Sequence, residues 1–136
     1  MEMKFHLVHH LLEGSVERTP HATFLVQEGT LHTYAEIEAG ANRLARVMIR
    51  HRIQKGERVG ILMKNSHSFV ETYYGVSKSG AVAVPMNTSA NSDSIAQCLS
   101  DCGATALVAD QGCARRVEAA LADVPTLKLV LIPEPE

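Results

Sequence analysis

The chain has 136 residues, 46% of them hydrophobic, 21% charged and 4% aromatic. That length suits one ordinary domain, and the hydrophobic share excludes disorder as its main state. Lys plus Arg is 13 and Asp plus Glu is 15, so there is no basic excess to grip a nucleic-acid backbone or an anionic membrane.

In chain order, Phe5 to Arg18 is predicted as an amphipathic helix with Phe5, Leu7, Val8, Leu11, Leu12 and Val16 on one face. Pro20 ends it, because the residue before a proline is pushed out of the helical region. Thr23 to Val26 and Thr30 to His32 are short β-prone runs around Gln27-Glu28-Gly29, and read as a small hairpin. Thr33 and Glu36 have capping-box spacing at the start of a second helix. Its buried face should carry Tyr34, Ile37, Ala41, Leu44, Ala45 and Met48, with Arg43, Arg46 and Arg50 on the wet side. Its end is expected near Gln54-Lys55-Gly56, with the glycine in the left-handed position after the helix.

Beyond that point strand and helix alternate. Strand runs are read over Arg58 to Met63, Ala81 to Met86, Thr105 to Ala109 and Leu127 to Ile132. The intervening helices start at Ser66 or Ser68, pass through Ile95 and Leu99, and cover Ala114 to Ala122. Such alternation, with mostly continuous apolar strands, predicts an α/β fold: a parallel-sheet, three-layer subdomain with flanking helices and a small N-terminal hairpin.

Candidate chemistry is thin. Gly75 and Gly80 have the spacing of a phosphate loop, but Ala81-Val82 stand where Lys-Ser/Thr should follow, at a helix end whose dipole repels anions. His6, His9 and His10 neighbour Glu13 and Glu17, and His6 and His10 lie one turn apart, which suits chelation. Imidazoles on an exposed helix lack orienting partners, so the group reads as a solvated face. Cys98 and Cys102 are one turn apart beside Ile95 and Leu99 and read as core packing, while Cys113 at a helix start is a mildly reactive thiol. Ser66-His67-Ser68 is a strand-to-helix turn without the G-x-S-x-G of a nucleophile elbow. The residues therefore give no catalytic, cofactor-binding or metal assignment.

The wording of the segments does resemble a known family. Leu31-His32-Thr33-Tyr34-Ala35-Glu36-Ile37 is similar to the first core motif of the adenylate-forming enzymes, with His32 where an apolar residue is usual. Asn42-Arg43-Leu44-Ala45 continues that motif, and Lys55 to Leu62 followed by Asn65-Ser66 resembles the next block. Phe69 to Gly75 and Lys78 to Asn87 resemble the second core motif, and Leu99 to Ala104 closes the set. Ala83-Val84-Pro85-Met86-Asn87 looks more like acyl- and aryl-CoA ligases than amino-acid-activating domains. Some CoA ligases place a basic residue just after that Asn; here Thr88-Ser89-Ala90 follow, so that role is not carried over.

The resemblance implies residues 1–136 are the N-terminal subdomain of an ATP-dependent acyl-CoA synthetase-like ligase of fatty-acid metabolism. ATP, Mg and CoA are implied for the full-length enzyme, and no cofactor for this segment. The family's Ser/Thr/Gly-rich Pro-Lys loop, Thr-Glu pair, ribose-binding Asp and C-terminal Lys do not occur in this chain. The segment alone is thus expected to be inert, with the remainder of the ligase as its partner and a carboxylic acid as the full enzyme's substrate. The end at Pro133 to Glu136, directly after a buried-type strand, is expected to mark a cut domain with an exposed apolar surface through which it could form a homo-oligomer. The alternative is a free-standing interaction module or half of a split ligase. No apolar run approaches the ~20 residues of a membrane span, the N-terminus has no signal-peptide pattern, and three cysteines fit a reducing cytoplasm.

Overall fold

The computed structural model describes residues 6–134. A short helix, α1 (His9–Arg18), precedes a hairpin of β1 (Thr23–Gln27) and β2 (Thr30–Thr33). There follow α2 (Tyr34–Arg50), β3 (Arg58–Leu62), α3 (His67–Lys78), β4 (Val82–Pro85), α4 (Ser92–Asp101), β5 (Ala106–Ala109), α5 (Ala114–Leu121) and β6 (Leu129–Leu131). The four later strands form one parallel sheet in the order β4-β3-β5-β6.

The alternating strand faces sort the core into two layers. Val59, Ile61, Ala106 and Val108 meet Met48 of α2 and Val76 of α3 on one side. Leu62, Leu107 and Ala109 meet Ile95 and Leu99 of α4 and Val117 of α5 on the other. A sheet buried on both faces needs apolar residues at successive strand positions, which is why the runs read as continuous. The three-layer expectation holds.

A third cluster, Leu12, Ile37 and Ala41 with Phe24, Leu25 and Tyr34, attaches α1 and the hairpin to the outer side of α2. Phe24 meets Tyr34 edge-to-face at 5.0 Å. The hairpin closes through Glu28 (φ 48°) and Gly29 (φ 84°), the paired positive φ values that a two-residue turn uses to match strand twist.

Two helix boundaries differ from the sequence reading. The first helix starts at His9, and Phe5 lies outside the described residues. Of the predicted face, Leu12 is buried and Val16 packs beside it, but Leu7, Val8 and Leu11 are exposed. Val8, in the cap position, offers no side-chain acceptor to the first turn, and its apolar neighbours meet no packing surface among the described residues.

The second helix ends at Arg50 rather than near Gly56. Arg52, at φ 60°, takes the left-handed position there. The Ile53 N–H donates to Met48 O and the Arg52 N–H to Ile49 O, both at 3.0 Å, the paired bonds of a Schellman ending. Burial of Ile53 against the Met48 cluster fixes this boundary, so packing outweighs the αL cost of a non-glycine residue. Gly56 instead serves the turn into β3.

The starts expected for α2 and α3 hold, and α4 gains a cap that was not expected. Thr33 and Glu36 form the reciprocal capping box. Ser66, not Ser68, caps α3 by accepting the Phe69 N–H at 3.1 Å, and Asn91 caps α4 by accepting the Ser94 N–H at 2.9 Å.

Candidate functional site

The chain leaves β3 for α3 on one face of the sheet and leaves β5 for α5 on the other. Adjacent parallel strands whose continuations part in this way open a crevice at their carboxyl ends, the usual ligand position in open α/β sheets. A cleft of about 690 Å³ lies there, lined by Lys64, Ser66 and His67 after β3, Asp110 and Arg116 after β5, and Gln27 from the hairpin.

Its polar groups are largely turned toward one another. Asp110 Oδ2 accepts the Lys64 N–H at 2.6 Å, and the Asp110 N–H donates to Leu62 O at 3.0 Å. These bonds stitch the two strand ends together. Arg116 donates to the carbonyls of Thr88 and Ala90, and to Cys113 Sγ at 3.2 Å. Its guanidinium thus shapes the loop after β4.

His67 joins the hairpin to α3. Gln27 Oε1 accepts the His67 N–H at 2.7 Å and stands 3.0 Å from His67 Nδ1. Ser68 Oγ is 3.3 Å from His67 Nε2, and the His32 ring stacks on His67 at 4.1 Å. A serine, an imidazole and an orienting group are therefore in line. The orienting group is a neutral amide, which positions an imidazole but does not stabilise the imidazolium a hydrolase forms. We read the line as an anchor for the hairpin.

The other sequence candidates fall apart from the cleft. Gly75 lies inside α3 against α2, where an added Cβ would stand 2.7 Å from Ala41 O. The Gly75–Gly80 stretch is thus a helix crossing and a helix end, and it does not fit a triphosphate. Cys113 is buried. Cys98 and Cys102 are only half-buried at the rim of a shallow depression with Ser94, Gln97 and Asp101, which corrects the reading of the pair as core. Cys102 still packs against the inner cluster, but α4 rotates Cys98 outward. Burial, with Cys102 and Asp101 adding to it, pushes the Cys98 thiol up, which makes it a poor nucleophile.

On α1 the structure gathers a different set from the His6 and His10 pair. His9, His10 and Glu13 bring one donor atom each within 4.8 Å of one another. His6 approaches only through its backbone N–H, 3.4 Å from His10 Nδ1, and Glu17 is exposed outside the group. Behind it Lys78 Nζ binds Glu13 Oε1 at 2.6 Å and Glu38 Oε1 at 2.7 Å. Spacing showed the histidines, but Lys78 and Glu38 come from two other helices, so no local pattern could disclose them. Gln27, Asp110 and Arg116 were missed for the same reason: strand order, not spacing, brings them to one crevice.

The fold is thus an open, doubly wound α/β sheet with a crevice at its strand ends whose polar groups are largely engaged with one another. Residues 12–136 match the family described as AMP-binding enzyme, and the chain belongs to that family. It is 36% identical over 93 residues to long-chain fatty acid transport protein 6 of Homo sapiens, covering 68% of this chain and 15% of that protein. To surfactin synthase subunit 2 of Bacillus subtilis it is 44% identical over 80 residues, covering 59% of this chain and 2% of the relative. Among solved structures, a Mycobacterium tuberculosis fatty acyl CoA synthetase superposes with a TM-score of 0.89 at 31% identity. That match covers 97% of this chain and 27% of the synthetase. The chain thus spans under a fifth of the curated relatives' length. Among the described residues no helix is long and apolar enough to cross a membrane.

Proposed function

We propose that residues 1–136 are the N-terminal subdomain of an acyl-CoA synthetase-like ligase. The complete enzyme would activate a carboxylic acid with ATP as acyl-AMP and transfer the acyl group to CoA in the cytoplasm. The observation that carries this reading is the match of almost the whole chain to the fatty acyl CoA synthetase, at 31% identity and TM-score 0.89. The second core motif ending in Val84-Pro85-Met86-Asn87 supports the acyl branch.

In this reading the segment contributes scaffold. It supplies no catalytic, cofactor-binding or catalytic-metal residue; ATP and Mg would be held by the remainder of the ligase, and electrophile activation at the α-phosphate would be supplied there. The segment's partner is that remainder. Surfaces suited to receive it are β4 at one sheet edge, with Val82 exposed, and β6 at the other, whose Leu129–Leu131 are half-buried. The hairpin's outer face adds the paired Val26 and Leu31, each 61% exposed.

A graft tests this role. Replacing the matching segment of the M. tuberculosis synthetase with this chain is expected to preserve ATP- and CoA-dependent acyl-CoA formation. A chimera that folds, as shown by circular dichroism and a cooperative melt, yet forms no acyl-adenylate would contradict it.

A further inference from the structure

The α1 cluster carries a second inference, independent of the ligase reading. We propose that His9, His10 and Glu13 form a site for one divalent transition metal of the zinc class.

Three observations support it. First, the three donor atoms already lie within 4.8 Å of one another, and tetrahedral zinc with N and O ligand bonds of about 2.0–2.2 Å brings donors to about 3.3–3.6 Å. Second, all three residues are half-buried rather than free in solvent, and Glu13 is already held by Lys78 of α3.

Third, the local charge is unbalanced. Lys78 is one ammonium between two carboxylates, Glu13 and Glu38. Glu38 Oε2 is buried with no hydrogen-bond partner. A second cation beside Glu13 would neutralise the excess negative charge. Glu13 would keep Oε1 on Lys78 and offer Oε2 to the metal, so Lys78 and Glu38 act as the outer partners that hold a ligand in place. The half-burial of His9, His10 and Glu13 departs from the solvated face expected from sequence. The His6 N–H contact at 3.4 Å is long and gives way if His10 ligates through Nδ1. Three protein ligands leave the fourth position to water; all three lie on α1, so the metal would brace that helix, with Lys78 linking the ligand Glu13 to α3 and α2.

The test is titration of the full chain with Zn²⁺ and with Co²⁺ as a spectroscopic stand-in. One saturable equivalent is expected, with cobalt d–d absorption and no thiolate charge-transfer band, and with a rise in Tm on adding zinc. His9→Ala and His10→Ala should each weaken binding tenfold or more and abolish the Tm rise, with Glu13→Gln doing likewise. The exposed control His51→Ala should change neither. Circular dichroism shows whether each variant is folded. Non-saturable uptake, affinity unchanged by the His9 and His10 substitutions, or a charge-transfer band that Cys98→Ser removes would overturn the proposal.

Discussion

Gly75→Val is expected to lower the stability of the fold by about 3 kcal/mol, at the upper end of overpacking costs, measured as a shift in the urea midpoint with an unchanged slope. Gly75 lies where α3 crosses α2. A Cβ there would stand 2.7 Å from Ala41 O and 2.8 Å from Leu44 Cβ. One of these is backbone, so no rotamer change relieves the clash and the helices must separate. Separation opens the layer that covers Val59, Ile61 and Val108 and loses dispersion contacts across it. Gly60→Ala is a useful contrast. Its Cβ would meet the ends of the Leu99 and Leu107 side chains, at 2.7 and 3.0 Å, and these can rotate away. The smaller loss should therefore belong to Gly60→Ala; the reverse order would mean that α2 and α3 do not cross so closely.

Lys78→Met should cost on the order of 3 kcal/mol at neutral pH, since removing one partner strands charges in a poorly solvated place. Lys78 joins α3 to Glu13 on α1 and Glu38 on α2, with its side chain only 9% exposed. Burial alone would raise the Glu13 carboxyl, but the hydrogen bond and charge of Lys78 outweigh it and hold the group below its ordinary value. Burial likewise acts to lower the Lys78 ammonium, and its two carboxylate partners reverse that and raise it.

The signs fix the pH dependence. The carboxylate contribution is present above the unfolded Glu value and lost as pH falls through the lower folded one. The ammonium contribution is present below the unfolded Lys value and lost as pH rises through the higher folded one. Lys78→Met loses both. Its deficit should shrink on acidification, because protonating Glu13 removes a carboxylate that no ammonium then balances. A deficit that is constant from neutral to acid pH would assign the loss to packing of the Lys78 stem instead.

Local chemistry made much of the fold legible. Helix starts are set by side chains a few residues from the backbone they cap, so Thr33 and Ser66 could be read directly, whereas the Asn91 cap of α4 was not. Strands buried on both faces betray themselves by apolar continuity, as in Ala106–Ala109. Helix ends were less legible. The end of α2 depends on Ile53 finding the Met48 cluster, which no nearby glycine signals. The start of α1 depends on a packing surface that reaches only Leu12 and Val16.

The cleft was the least legible part. Lys64 and Asp110 are 46 residues apart in sequence, and they meet only because β5 pairs with β3 rather than with its chain neighbour β4. Gln27 reaches His67 across a comparable gap. The family's wording, by contrast, was plain in the order of its motifs, because several short blocks recur in sequence whatever their partners in space.

In the function proposed, this polypeptide supports an adenylation site held by the rest of the ligase and contains none itself. Pyrophosphate exchange into ATP by the purified chain, across fatty, aryl and amino acids with magnesium present, addresses that most directly. Exchange at the level of the protein-free control is expected for every acid, with no saturable uptake of ATP. Acid-dependent exchange together with saturable ATP binding would contradict it.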